Sequence, residues 1–103
     1  MYATLRIYEM AEDWDDALQQ RLADEFIPTL TQIPGFVSYH SLEAGPRLFA
    51  SVTIFEDRAG AEASNRTAAD LVQRKLADRF PTPPELTAGP IRAFSVASAR
   101  LPA

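Results

Sequence analysis

The run from Ile33 to Phe55 constrains the fold of this chain more than any other stretch. Pro34 and Gly35 end a preceding helix, because proline lacks an amide proton and glycine commonly terminates helices. The runs on either side of a short glycine-containing link are rich in β-branched and aromatic residues, which is typical of a hairpin. We therefore predict two antiparallel strands joined by a three-residue link, residues 44–46.

The residues before this hairpin predict one strand and one helix. Residues 2–9 alternate between two sets of side chains, as a half-buried strand does. Asp13 is a plausible helix N-cap, and apolar residues recur at fourfold spacing over roughly 14–32. Pro28 lies inside that range and removes one backbone hydrogen bond, so we expect a kink or a broken last turn there.

The residues after the hairpin predict a second helix and a last strand. Asp57 is again a plausible N-cap, and residues 59–79 are dense in strong helix formers. A proline-rich link over 81–84 stops this helix, and residues 91–97 alternate like a strand before a tail that frays from Ser98. The order βαββαβ predicts an α+β, ferredoxin-like fold, in which a four-stranded antiparallel sheet carries both helices on one face.

Composition limits what such a chain does. The 103 residues are enough for a single domain, 1–103, with 47% hydrophobic and 23% charged residues and a net charge of −4. The few basic residues form no stripe that would bind nucleic acid, and no apolar run is long enough to enter a membrane. The absence of cysteine excludes disulfides and thiolate metal sites. We expect a cytoplasmic protein without nucleic-acid or membrane partners.

Both faces of the predicted sheet are apolar. The three-residue link would place Leu42 opposite Leu48 and His40 opposite Ala50. Two helices cover only one face, and an exposed second face of this size is unusual in a monomer, so we expect a homodimer packed sheet against sheet. One predicted face collects Ala3, Leu5, Ile7, Phe36, Leu42, Leu48, Val52 and Ile54. The other collects Tyr2, Tyr8, Val37, Tyr39, Phe49, Phe55, Phe94 and Val96.

Short motifs resemble a known family. The run Pro34-Gly35-Phe36-Val37-Ser38-Tyr39, followed by Phe55-Glu56-Asp57 and an alanine-rich helix with Ser64-Asn65-Arg66, resembles the antibiotic biosynthesis monooxygenase group of the dimeric α+β barrel superfamily. The resemblance implies a homodimer whose two sheets form a barrel, with a small-molecule pocket between sheet and helices in each subunit. Members include cofactor-independent oxygenases of polycyclic phenols, quinol oxygenases, haem-degrading enzymes and proteins without a known reaction.

The resemblance disfavours haem degradation, because haem-degrading members carry an Asn on the first strand, where this chain has Arg6. Phenol-oxidising members place Asn, Trp, Tyr and Arg around an aromatic substrate. Residues of those types are present here as Asn65, Trp14, Tyr39, Tyr8 and Arg6.

His40 and Asn65 are the candidate catalytic residues. The ordinary pKa of histidine allows proton transfer at neutral pH, so His40 would be the general base, although a strand histidine often only packs and bonds locally. Asn65 lies on the sheet-facing stripe of the second helix and would hold an oxyanion, or alternatively bond to nearby backbone.

Five further residues are candidate substrate contacts with structural alternatives. Trp14 is either a core anchor or, with Phe36, an apolar wall of the pocket. Arg6 either pairs with an acid or meets a substrate anion. Small residues such as Ser64 either let the helix approach the sheet or leave a cavity, and Tyr39 joins the set by residue type.

These residues lead to two open hypotheses about function. The first is a cofactor-independent monooxygenase acting on a small hydroxylated aromatic or quinol, which supplies its own electrons to O₂ once deprotonated. The alternative is a non-catalytic homodimeric module of the same fold that binds a small apolar ligand or only assembles. We expect no cofactor, and a single His with dispersed carboxylates has no metal-ligand spacing.

Overall fold

The structure is a computed structural model that describes residues 1–97, so the predicted tail from Ser98 lies outside the described residues. It confirms the order βαββαβ. Each helical segment contains a stretch of π-helix, Leu22–Phe26 in the first and Val72–Leu76 in the second. The regular elements are β1 (Tyr2–Glu9), α1 (Asp16–Arg21), α2 (Ile27–Thr31), β2 (Phe36–Gly45), β3 (Leu48–Phe55), α3 (Arg58–Leu71) and β4 (Glu85–Pro90).

The four strands form one antiparallel sheet in the order β2-β3-β1-β4. Alternating burial along β1 and β3 shows that the helices cover one face and leave the other open. This is the predicted ferredoxin-like α+β fold.

The first helical segment begins later than predicted and is interrupted near Pro28. Asp15, rather than Asp13, is the N-cap, and its carboxylate accepts from the Leu18 amide at 2.9 Å. The backbone then widens into the π-helical stretch just before Pro28, and the Ile27 amide donates to the Leu22 carbonyl. Because Pro28 has no amide proton, the regular ladder is already lost at this point, and a π-helical turn accommodates the irregularity.

The second helical segment begins at the predicted cap. The Asp57 carboxylate accepts from the Gly60 amide at 2.9 Å. Gly60 also allows close packing, because a Cβ there would lie 2.7 Å from a Phe55 ring carbon and 3.0 Å from the Pro34 carbonyl oxygen. The start of α3 therefore sits directly on the end of β3 and on the turn before β2.

The hairpin register differs from the prediction. The link between β2 and β3 is only Pro46 and Arg47, and Arg47 has a left-handed φ of 55° that an Asp13 carboxylate contact and a Met10 amide contact help to hold. This shorter link, together with a register shift between Glu43 and Gly45, places Leu42 opposite Ala50 and His40 opposite Val52.

A β-bulge between Phe36 and Ser38 corrects two face assignments. An extra residue in one strand reverses the alternation of side chains beyond it. Phe36 therefore lies on the helix side, edge-on to Phe55 with ring centroids 5.8 Å apart, while Val37 at the bulge is exposed.

The last strand also lies elsewhere than predicted. β4 pairs with β1 from Ile7 opposite Glu85 to Tyr2 opposite Pro90. The Ile91 amide still donates to the Met1 carbonyl at 2.9 Å, but β1 begins at Tyr2 and offers residues 92–97 no further partner within the described chain. Phe94 and Val96 are therefore exposed outside the sheet. Alternation in the sequence could not reveal that pairing had already run out.

The two faces of the sheet are named here by their surroundings. The covered face, under the helices, carries Thr4, Arg6, Tyr8, Tyr39, Ser41, Phe49, Ser51, Thr53 and Phe55. The open face carries Ala3, Leu5, Ile7, Ser38, His40, Leu42, Leu48, Ala50, Val52 and Ile54.

Candidate functional site

Arg6 lies at the centre of the covered face and is only 1% exposed. Alternation along β1 turns its side chain toward α3. One terminal nitrogen donates to the Thr53 hydroxyl at 3.1 Å, and the other donates to the Asn65 amide oxygen at 2.6 Å. A longer contact of 3.5 Å reaches the Ser64 hydroxyl. The guanidinium therefore joins β1, β3 and α3.

Ser64 and Asn65 present neighbouring oxygens from α3. Ser64 is fully buried and donates its own proton to the Ala61 carbonyl at 2.7 Å, which leaves its oxygen free to accept from Arg6. Asn65 is half-buried. The prediction that Asn65 faces the sheet is confirmed, and the backbone contact considered as its alternative role is replaced by the contact with Arg6.

No carboxylate within residues 1–97 lies at salt-bridge distance from Arg6. The predicted acid partner is therefore not found in this part of the chain. Burial lowers the pKa of Arg6, and the neighbouring Tyr8 and Tyr39 only partly oppose this. A buried cation surrounded by neutral acceptors is costly, which distinguishes this residue from an ordinary structural arginine.

Two hydroxyls on the covered face have no hydrogen-bond partner in the described part of the chain. They are those of Thr4 and Tyr39, both fully buried atoms. Ser41 lies near Tyr39 without reaching hydrogen-bonding geometry. Burial raises the pKa of Tyr39 to about 12, and burial likewise raises the pKa of Tyr8. Both phenols are therefore protonated donors at neutral pH.

An apolar cleft of about 350 Å³ lies beside this polar cluster. Tyr8 forms part of its wall, one strand repeat from Arg6, and Ala69 forms another part, one helical turn from Asn65. Phe80 and the proline-rich link that ends at Pro84 complete the opposite rim. Arg6, Ser64, Asn65 and Tyr39 do not line the cleft themselves, so it is a space for an apolar ligand about one residue repeat from the Arg6–Asn65 contact.

His40 lies away from this cluster. It is exposed on the open face, directly opposite Val52, whereas Asn65 approaches the covered face. The predicted meeting of His40 and Asn65 in one pocket of one subunit is wrong, because the strand alternation places them on opposite sides of the sheet.

The two predicted aromatic walls belong to the core. Trp14 stacks on Phe49 with ring centroids 5.3 Å apart and an interplanar angle of 10°, and its indole nitrogen donates to Gln19 at 3.1 Å. Phe36 packs on Phe55 at the other end of the sheet. Neither side chain lines the cleft described above.

Sequence reasoning did not assign Thr4 or Thr53 to the site, and it named Tyr8 only by residue type. The strand alternation did contain the signal, because Thr4, Arg6 and Tyr8 share one side of β1. What it lacked was the knowledge that this polar side, rather than the aliphatic side, lies beneath the helices.

Two further properties of the described residues limit the chemistry. Residues 1–97 contain no group of three or more histidine, cysteine or acidic side chains arranged to hold a metal ion. None of the helices within that range combines the length and apolar character that crossing a membrane requires.

Comparison with known proteins bears on the fold. No family profile and no curated protein matches the sequence. Among solved structures, a cofactor-independent oxygenase of Streptomyces nogalater, SnoaB, is 11% identical with a TM-score of 0.67 over 90% of this chain and 94% of its own. A Streptomyces coelicolor monooxygenase solved with nanaomycin D is 13% identical, with a TM-score of 0.68 over 94% and 92%. This chain has the antibiotic biosynthesis monooxygenase fold.

The same monooxygenase fold also occurs in a protein of unknown function from Nitrosomonas europaea, which is 22% identical with a TM-score of 0.74 over 95% of each chain. The resemblance noted in the sequence is thereby confirmed for the fold. Identities at this level carry the fold alone, so the residues of the site have to support any activity.

Proposed function

We propose that this chain is a cofactor-independent monooxygenase acting on a small hydroxylated aromatic or quinol. The observation that carries the proposal is the buried contact between Arg6 and Asn65, which lies one strand repeat from Tyr8 and one helical turn from Ala69, two residues that line an apolar cleft. The ring of the substrate would occupy the cleft, with its oxygen directed toward Arg6. A convergent polar group beside an apolar pocket is the usual arrangement of a small-molecule site.

The proposed chemistry uses the substrate as the electron donor. An ionised phenol with a free ortho or para position transfers electrons to O₂, and a carbon–oxygen bond forms at that position to give a hydroperoxide. Loss of water then breaks the oxygen–oxygen bond and leaves a quinone carbonyl. O₂ is reduced by four electrons, and one of its oxygen atoms enters the product and the other enters water.

The covered face supplies what this reaction needs from the protein. Arg6 and the amide of Asn65 would stabilise negative charge on the substrate oxygen, and groups already in position do so without reorganisation. The protonated hydroxyl of Tyr39 lies on the same face and has no other partner within residues 1–97. Burial beneath α3 excludes water from this part of the sheet.

Oxygen consumption tests the proposal. The substrates are a panel of hydroquinones, naphthols and anthrones, and the variants are Arg6→Gln and Asn65→Ala. We expect each variant to lower kcat by about 100-fold, the usual effect of removing one group that stabilises an oxyanion. Rates equal to those in buffer for the native chain across the panel would refute the proposal for these substrates.

His40→Ala serves as the matched variant on the open face. The proposal expects it to keep the rate of the native chain, because His40 is remote from the cleft within a subunit. A loss as large as that of Asn65→Ala would restore the predicted role of His40 as the base and would require it to act on another subunit.

We further propose that the chain forms a homodimer through its open face. Leu5, Ile7 and Leu42 are each more than two-fifths exposed there, and Val52 and Ile54 extend the same surface. This contiguous aliphatic area is unusual for a lone subunit. A second copy would cover it by packing sheet against sheet. The cytoplasmic location remains a prediction.

The second candidate function is a non-catalytic homodimeric binding module. It is favoured by the lack of a histidine or carboxylate at hydrogen-bonding distance from Arg6 within residues 1–97. Such a module would bind the same aromatic compounds in the cleft, measured by calorimetry, yet consume no oxygen. Saturable binding without turnover across the panel would favour it over the monooxygenase.

A further inference from the structure

The charge balance around Arg6 is incomplete within the described chain. Its terminal nitrogens contact only neutral oxygens, those of Thr53, Ser64 and Asn65, at 3.1, 3.5 and 2.6 Å. Arg79, the other buried arginine, instead meets the Asp15 carboxylate at 3.0 Å. An anion at Arg6 would supply the counter-charge that its burial lacks, and charge-assisted hydrogen bonds to guanidinium are about twice as strong as neutral ones.

The groups that face Arg6 include no base suited to neutral pH. β1 contributes Tyr8 and β2 contributes Tyr39, and burial raises the pKa of both phenols. The residues of β3 and β4 beside Arg6 are Ser51 and Leu86, which do not ionise.

The helical side likewise offers no base. α3 presents Ser64 and Asn65 to Arg6, while its charged residues Glu62 and Arg66 are exposed. His40 lies on the opposite face of the sheet. A neutral phenol that reached Arg6 would therefore meet a cation and proton donors but, within residues 1–97, no protein group to take its proton.

We propose that the site takes its ligand as a preformed anion, a phenolate or enolate made acidic by a conjugated carbonyl or similar group, with Arg6 as its counter-ion. The proton leaves to solvent before or during entry. The protein thus selects ligands by acidity as well as by shape. This inference deepens the proposed function where the ligand is the oxygenase substrate, but binding of the anion is testable without turnover.

The probe is 4-nitrophenol, whose absorbance reports its ionisation, compared with its methyl ether, 4-nitroanisole, which cannot ionise. We expect the protein to lower the ionisation midpoint of bound 4-nitrophenol by about one pH unit, equivalent to about tenfold tighter binding of the phenolate than of the phenol. The ether should bind at least about tenfold more weakly than the phenolate, since it offers no charge to Arg6.

Two arginine variants locate the effect. Arg6→Gln should abolish the midpoint shift, whereas Arg66→Gln, which removes an exposed charge from the residue next to Asn65, should leave it unchanged. If Arg6→Gln fails to fold, as judged by circular dichroism, Arg6→Lys keeps the positive charge and should retain part of the shift. Equal binding of ether and phenolate, no binding of the phenolate, or a shift that survives in Arg6→Gln would each overturn the proposal.

Oxygen consumption separates this inference from the proposed activity. Phenolate binding with a lowered midpoint but no oxygen uptake on the substrate panel would refute the monooxygenase and support the anion site. Oxygen uptake whose pH midpoint stays constant for phenols of different acidity would support the monooxygenase and refute the anion site. If both hold, the pH midpoint of turnover should follow the acidity of each substrate.

Discussion

The two faces of the sheet have inverted polarity. The covered face carries Thr4, Arg6 and Thr53 at its centre, all at most 1% exposed, whereas the open face carries leucine, isoleucine and valine. A sheet with one covered face ordinarily buries its apolar side and exposes its polar side. The inversion at the centre of the sheet shows that apolar burial alone does not decide which face the helices cover. This is the arrangement expected if the proposed ligand binds at the covered face and a second copy of the chain covers the open face.

Within the covered face, the apolar packing is divided between two ends. Tyr8 and Phe49 pack with Phe80 at one end, with ring centroids 4.8 to 5.8 Å apart. Phe36 and Phe55 pack together at the other. The polar residues form a belt between these aromatic groups. The aromatic core that holds the helices therefore lies on both sides of the polar site. Packing at both ends is expected to keep the polar side chains in place.

The largest effect is expected from a charge on the open face. Leu5→Asp would bury an unpaired carboxylate in the proposed dimer, which costs several kcal/mol, and should raise the dimer dissociation constant at least about 100-fold. Sedimentation equilibrium measures it. Leu86→Asp is the control, because Leu86 is 47% exposed against 45% for Leu5 but lies on the other side of the sheet. A native chain that sediments as a monomer at micromolar concentration would contradict the comparison.

The next effect contrasts the two buried arginines. Arg79→Met removes hydrogen bonds to the Asp15 carboxylate and the Asp13 carbonyl, both 3.0 Å long, and should lower the free energy of unfolding by about 2 kcal/mol. Arg6→Met should leave that free energy unchanged or raise it, because it removes a buried charge that no acid within residues 1–97 balances. Urea unfolding at pH 7 tests both. A loss for Arg6→Met as large as that for Arg79→Met would make Arg6 structural.

A smaller contrast concerns two hydroxyls of the covered face. Thr53→Val removes an acceptor of Arg6 and should cost about 1 kcal/mol. Tyr39→Phe removes a buried hydroxyl without a partner in residues 1–97, so thermal unfolding should show no loss, or a gain of up to about 1 kcal/mol. Destabilisation by Tyr39→Phe would mean that the Tyr39 hydroxyl forms a hydrogen bond in the folded protein. It would then not be free to contact a ligand.

The smallest effect depends on pH and lies at the rim of the covered face. The Leu18 amide, and then Arg79, lower the pKa of Asp15, so its ionised form is favoured by folding. The stabilisation is therefore present above about pH 4 and is lost as pH falls through the lowered folded-state pKa. Asp15→Asn keeps a good N-cap residue but removes the charge.

Urea unfolding should show that Asp15→Asn has a lower free energy of unfolding than the native chain at pH 7. The difference should become smaller as the pH falls toward 2. When Asp15→Asn is made in the Arg79→Met variant, it should lower the free energy of unfolding at pH 7 by less than in the native chain, because one partner of the Asp15 charge is absent. An equal loss of unfolding free energy at pH 7 and pH 2 would show that the charge of Asp15 does not stabilise the fold.

Much of the architecture follows from local signals in the chain. The alternation of β1, the cap at Asp57 and the stop at Pro34-Gly35 specify the element order, and they depend only on neighbouring residues. Most side chains were also sorted correctly into two sets by alternation. Within the observed strands the exceptions are Phe36 and Val37, which follow from a bulge that has no clear local signature.

Long-range contacts settle the rest. The hairpin register depends on how Arg47 is held by Asp13 and Met10, which lie more than thirty residues away in sequence. The last residue of β4 depends on where β1 begins, because Pro90 pairs with Tyr2. Alternation divides residues between two faces but cannot say which face the helices cover, because both contain enough apolar surface to form a core. That choice places Arg6 beside Asn65 and leaves His40 outside, and with it the candidate site moves from the hairpin histidine to the centre of the first strand.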